Sequence, residues 1–182
     1  MKKYVMALII FFFITETKAS NKINIIQNLN NIDNISFNFE QNVNGKIERG
    51  NCTILYPKKI YCKYDLKNQK ILVSNGKSLV IKSKSSYYRY PLDKTPLNFI
   101  LDKNFLIKKI EKLNERLIDD KFINFNFSES DSEFNIFFDT KTHNLIGWQT
   151  LDIYQNLSIT YISSIIKNQN LKENLFSLPK QD

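Results

Sequence analysis

A chain of 182 residues, 42% of them hydrophobic, suits one domain with a single core, and no internal repeat, Pro/Ser-rich linker or low-complexity tail divides it. The formal charge of +8 does not point to nucleic acid, because the lysines are scattered and arginine is confined to Arg49, Arg89 and Arg116. The abundance of Asn, Ile and Lys reads as the coding bias of an AT-rich genome, and the charge implies at most a mild attraction to anionic membrane surfaces or acidic partners.

The chain opens as a secretory signal does. Met1-Lys2-Lys3-Tyr4 is a short positive start, residues 5–14 are an apolar run, and Thr17 and Ala19 are the small residues before a cleavage point after Ala19. The run is about ten residues, half of what a membrane-spanning helix needs. No cysteine lies near the cleavage point, so the expected mature protein, residues 20–182, is exported, soluble and not itself lipid-anchored. Cleavage removes Lys2, Lys3, Lys18 and Glu16 and leaves a balance of +6.

Residues 22–32 carry Ile25, Ile26, Leu29 and Ile32 at helical spacing, which predicts an amphipathic helix. Alternation over 35–41 predicts a half-buried strand, and Asn44-Gly45 suits a type I′ turn into a longer strand over 46–56. Pro57 sets the next turn, 60–66 returns, and 71–74 runs into Asn75-Gly76, a second hairpin signal. Strands at 79–82 and 87–92 continue the meander. Thr95-Pro96-Leu97 interrupts it: threonine can cap, proline favours the first helical position, and Leu97, Ile100 and Leu101 share one face. A second short helix is expected over 105–113, and the charged stretch 108–121 reads as a solvated helix leading into a strand. Strands follow at 122–127, 134–138, 145–154 and 157–165. The sum is about eleven antiparallel strands with two or three short helices packed on one face.

Side chains for catalysis are scarce. His143 is the lone histidine and sits in Thr140-Lys141-Thr142-His143-Asn144, a turn between strands. Asp119-Asp120, and Asp131 with Glu129 and Glu133, fall at strand ends and loops, and no serine is paired with a base. Two cysteines without clustered histidines make no zinc site, so neither metal nor other cofactor is expected and the chain does not read as an enzyme.

The order Phe37-x-Phe39-x-Gln41, Gly50, Tyr56-Pro57, Tyr64, Val73-Ser74-Asn75-Gly76-Lys77-x-Leu79, Tyr90-x-Leu92, Thr95-Pro96-Leu97 and Leu101 resembles the LolA family of periplasmic outer-membrane lipoprotein carriers. Gly147-Trp148, Asp152 and the closing Phe176-x-Leu178-Pro179 are similar to that family's C-terminal half, so the resemblance spans about 23–179. It implies a mainly β fold, an incomplete, half-open antiparallel barrel covered by short helices around an apolar cavity. It also implies a periplasmic monomer that carries triacylated lipoproteins from the inner to the outer membrane. Its partners would be an inner-membrane ATP-driven lipoprotein-releasing complex as donor and an outer-membrane receptor lipoprotein as acceptor. The alternative within the same fold is a periplasmic lipid- or lipoprotein-binding sensor or regulator.

In the hairpin over 52–64 the even positions Cys52, Ile54, Tyr56, Ile60, Cys62 and Tyr64 share a face when no bulge intervenes, and by resemblance that face looks inward. Candidates for contact with acyl chains are Ile54, Tyr56, Ile60, Cys62 and Tyr64 from it, with Phe37, Phe39, Leu79 and Ile81 from neighbouring strands. Leu97, Ile100 and Leu101 are the candidates from the covering helix. Each also fits ordinary core packing. Family members generally carry an arginine before the proline of the strand turn, where it helps hold the lid closed. Here Tyr56 stands in that place, so either its hydroxyl closes the lid or the gating differs; Lys58 and Lys59 are expected to point elsewhere. Cys52 and Cys62 flank the Pro57 turn symmetrically, which gives a cross-strand disulfide if the register lets the sulfurs meet, and otherwise two small buried thiols.

Overall fold

The computed structural model describes residues 20–151 and 156–181. The expected export signal, Asp152 and the last residues of the strand expected over 145–154 lie outside them.

Strands β1 (Asn34–Val43), β2 (Lys46–Leu55), β3 (Lys59–Tyr64), β4 (Ile71–Asn75), β5 (Ser78–Lys82) and β6 (Tyr87–Pro91) form the first meander. The second comprises β7 (Arg116–Ile118), β8 (Phe122–Glu129), β9 (Ser132–Asp139), β10 (Leu145–Leu151) and β11 (Leu157–Lys167). Pairing of β1 with β11 fuses them into one antiparallel sheet, ordered β6-β5-β4-β3-β2-β1-β11-β10-β9-β8-β7. The sheet does not close: β6 and β7 are its two edges, and the chain between them supplies the 3-10 turn Leu92–Lys94 and helices α2 (Leu97–Ile100) and α3 (Lys103–Lys112). A mainly β, half-open barrel with a helical cover is therefore what the chain forms.

Local chemistry explains most of the boundaries. Asn44 (φ 50°) and Gly45 (φ 86°) both take positive φ, as a type I′ turn requires. At the second hairpin Gly76 (φ 97°) takes it while Asn75 Oδ1 accepts from the Lys77 and Ser78 N–H groups. Gly50 is required by close approach: a Cβ there would collide with the Lys63 carbonyl oxygen and come within 2.9 Å of the Phe39 ring. Two details depart from expectation. The Thr95 hydroxyl donates back to the Leu92 carbonyl (2.8 Å), closing the 3-10 turn, so it does not cap α2. Asp102 caps α3 instead, accepting from the Phe105 N–H, so the helix starts earlier than expected and the chain turns out of it by Leu113 into the unforeseen β7.

Helix α1 (Asn21–Asn30) lies antiparallel to α3, because its start meets Glu111 and Glu115 while Lys103 donates to the Ile32 carbonyl just past its end. Asn28 ties α1 to the β9–β10 turn through the His143 carbonyl and Asn144. The half-buried His143 thus serves a turn, in keeping with its sequence context.

The core has two unlike halves. Over β8 and β9, Phe125, Phe127, Phe134 and Phe138 pack with Phe99 and Phe105 of the helical cover, in ring pairs 5.0–6.0 Å apart. Ile25, Leu29, Leu106 and Ile110 seal this half from α1 and α3. Over β1–β5 the inner face mixes aromatic, aliphatic and sulfur-bearing side chains, and it is here that the packing opens.

Candidate functional site

A cavity of about 430 Å³ opens between the inner face of β1–β5, the near edge of β10–β11 and α2. That volume lies within the range of about 300–1,000 Å³ of small-molecule sites. Strand alternation aims every second residue at it: Phe37 and Phe39 from β1, Cys52 from β2, Ile60, Cys62 and Tyr64 from β3, Leu72 from β4, Leu79 and Ile81 from β5. Leu97 and Ile100 close the top from α2. Phe37 meets Trp148 edge-on at 6.4 Å, and Phe39 meets Tyr64 edge-on at 5.0 Å.

Cys52 and Cys62 are register partners, 4.1 Å apart at Cα, and their sulfurs are bonded. The spacing is that of a non-hydrogen-bonded antiparallel pair, the position in which facing side chains come closest. The bridge forms part of the cavity wall.

Nine of the twelve residues singled out in the sequence therefore meet at the cavity: Phe37, Phe39, Ile60, Cys62, Tyr64, Leu79, Ile81, Leu97 and Ile100. Ile54, Tyr56 and Leu101 share their faces but are packed into the core at the closed end, outside the lining. The even-numbered set of the hairpin does share one face, and all six members are buried.

Sequence reasoning missed the other end. There Gln41, Glu48, Lys70, Thr150, Ser158 and Thr160 line the cavity, with Lys46 at the rim. Glu48 is 8% exposed and paired with both Lys70 and Lys46. Burial pushes its pKa up, but the hydrogen bonds and charges of the two ammonium groups outweigh that and hold it below the usual carboxylate range. The Lys70 ammonium also sits 4.1 Å from the centre of the Tyr64 ring. Burial, and then the Glu48 charge, push the Tyr64 phenol upward, while burial alone does so for Tyr56. Only the alternation of β1 and β2 could have flagged Gln41 and Glu48; the contribution of β11 depends on a pairing across the whole chain.

Among the described residues no cluster of three or more His, Cys, Asp or Glu side chains is placed to hold a metal, and no helix is long and apolar enough to cross a membrane.

The model of the family described as outer membrane lipoprotein carrier protein LolA matches residues 30–179. The chain belongs to the LolA family. No curated protein matches the sequence. Among solved structures, the LolA superfamily protein NE2245 from Nitrosomonas europaea is 9% identical, with 88% of this chain and 99% of that one covered and a TM-score of 0.42. An uncharacterized conserved protein from Thermus thermophilus is 6% identical over 88% of this chain and 93% of its own, with a TM-score of 0.51. The Pseudomonas aeruginosa MucA/MucB complex structure matches at 11% identity and TM-score 0.50, over 87% of this chain but 60% of that chain. At such identities the likeness is one of fold.

Within this LolA-family chain, the turn that carries Tyr56 meets the helical cover through its neighbour. The Lys58 N–H donates to the Leu101 carbonyl (2.7 Å), and the Lys58 ammonium lies 3.6 Å from the Asp102 carboxylate. This corrects the expectation that Lys58 points elsewhere. Its positive φ (68°) turns it toward the junction of α2 and α3, where Asp102 is already fixed as the cap of α3. Tyr56 is held in the core, and its own N–H donates to the Asp33 carbonyl (2.9 Å).

Proposed function

We propose that this chain is a periplasmic carrier that shields the acyl chains of lipoproteins in its cavity and conveys them from the inner to the outer membrane. The observation that carries the reading is the half-open apolar cavity under α2 in a chain of the LolA family. A fatty chain of about sixteen carbons costs on the order of ten kcal/mol to expose to water, at about 0.8 kcal/mol per methylene, so an aqueous crossing needs a lined container. Apolar contacts are non-directional, so the container can also release its load to a receiver of higher affinity without an energy source of its own. An inner-membrane ATP-driven complex as donor and an outer-membrane receptor lipoprotein as acceptor fit that scheme. The chain acts as a monomer and without a cofactor in it.

Phe37, Phe39, Ile60, Cys62, Tyr64, Leu79 and Ile81 are the residues proposed to contact the acyl chain from the sheet, with Leu97 and Ile100 above. Ile54, Tyr56 and Leu101 support that wall from behind.

The test is expression of residues 20–182 behind a cleavable export signal, followed by native mass spectrometry. A co-purifying triacylated lipoprotein, lost in Leu97→Asp or Ile100→Asp, is the expected result. A protein that stays empty and accepts no lipoprotein from membranes would overturn the carrier. The second reading is a sensor or regulator, favoured by the fold likeness to MucB, whose structure was solved with MucA. It predicts retention of a protein partner by the same empty chain.

A further inference from the structure

The inner face changes character from one register row to the next. Cys52–Phe37 and Gly50–Phe39–Ile162 are apolar rows; the next is Glu48–Gln41–Thr160–Trp148, and the one beyond is Lys46–Val43–Ser158–Thr150. Polarity thus begins at one level across three adjacent strands, β2, β1 and β11, with β10 following one row later at Thr150, and it begins on the side away from the helix-sealed core. Gln41 donates to the Ser158 hydroxyl (2.9 Å), and Glu48 is held by its two lysines, so these groups are satisfied within the wall. Thr160 is not. Its hydroxyl is buried in the cavity lining, the residue is 4% exposed, and among the described residues it is the buried side-chain polar group without a hydrogen-bond partner. A buried hydroxyl without a partner is costly, and native interiors rarely keep one.

We infer that the Thr160 row is a head-group subsite: it receives the ester or amide carbonyl through which an acyl chain joins its polar head, while the chain itself lies along Phe39, the Cys52–Cys62 bridge and Leu79. The inference deepens the carrier reading and rests on it. The Thr160 hydroxyl donates to the carbonyl oxygen, and the Gln41 amide and Ser158 hydroxyl flank it. Lys46 at the rim faces the outer, more polar part of the head. An acyl chain lacking a carbonyl would fill the same apolar space and leave Thr160 as it is. The cavity therefore sorts its occupants by linkage as well as by chain.

The experiment measures displacement of a fluorescent apolar dye by two probes of equal chain length, monopalmitoylglycerol and hexadecane, from wild type, Thr160→Val and Gln41→Met. Valine keeps the shape and β-branching of threonine, and methionine the length of glutamine. Expected is a loss of about fivefold for monopalmitoylglycerol in Thr160→Val, the weight of one net hydrogen bond, with hexadecane unchanged. Gln41→Met is expected to shift the same probe in the same direction. Equal changes for both probes, or none for monopalmitoylglycerol in either variant, would overturn the subsite while leaving the cavity as an acyl-chain site. Failure of wild type to bind either probe would overturn the carrier reading together with it.

Discussion

Glu48 is a buried carboxylate at the polar end of the cavity wall, and what keeps it charged there is the pair of ammonium groups from Lys70 and Lys46. Its pKa is lowered on folding, so the unfolded chain takes up the proton first as the pH falls. The stabilisation is therefore complete above the ordinary carboxylate range and is lost as the pH drops through the folded-state value. Urea midpoints measured between about pH 6 and pH 3 are expected to fall more steeply for wild type than for Glu48→Gln. A parallel pair of curves would mean that the ion pairs contribute nothing. The buried phenols act at the other extreme. Tyr56 and Tyr64 have raised pKa values, so their contribution is complete below about pH 10 and fades above it, where the unfolded chain ionises and the folded one resists. Tyr64→Phe is expected to flatten the fall in thermal midpoint above about pH 10 and to leave the slope near pH 8 as it is, because both phenols are neutral there in either state.

Among the elements, the β2–β3 hairpin is the one with a covalent staple. The Cys52–Cys62 bridge closes a loop of sequence separation 10, for which the chain-entropy picture gives about 2–3 kcal/mol. The Cys52→Ala/Cys62→Ala protein is expected to unfold at lower denaturant by about that amount with the same far-ultraviolet circular dichroism. An unchanged midpoint would assign the hairpin's stability to its packing alone. This hairpin also marks how far the sequence could be read. Its turns, alternation and symmetrical cysteines are local signals, and so are Asn44-Gly45 and the hydrophobic stripe of α1. The Asp102 cap is equally local, but Thr95-Pro96 offers a competing helix start a few residues earlier, and β7 is too short to alternate. The polar row was illegible for another reason. Gln41 and Thr160 are neighbours only because β1 pairs with β11, a contact closed across nearly the whole chain, and no short-range pattern encodes that register. Ile54, Tyr56 and Leu101 carry the same pattern as the cavity residues; whether such a position meets a void or a neighbour is decided by what lies opposite, which alternation does not record.

The molecule as a whole divides its work between a filled half and a hollow half of one continuous sheet. On the β8–β9 side, Phe134 is fully buried and packed against Phe99 and Phe127, so truncation removes contacts on every side and leaves a new void. On the β3–β5 side, Leu79 is buried, yet one of its sides already faces the cavity. Large-to-small changes cost the transfer term plus a term for the void created, and only the first is incurred in full where a void exists beforehand. Phe134→Ala is therefore expected to cost about 3–5 kcal/mol, and Leu79→Ala at or below the low end of about 2–5 kcal/mol. Affinity for an acyl chain is expected to move the opposite way, falling in Leu79→Ala and holding in Phe134→Ala wherever that protein remains folded. Denaturant unfolding paired with dye displacement on both variants checks this. If Leu79→Ala were as costly as a filled-core truncation and bound ligand normally, the cavity would be a gap that closes in solution, and the hollow half would be ordinary core. If the costs separate as expected, the open edge of the sheet has a physical reason. A sheet closed and filled on both sides would leave no room for a ligand, so the hollow half gives up packing where a ligand's methylenes can restore it.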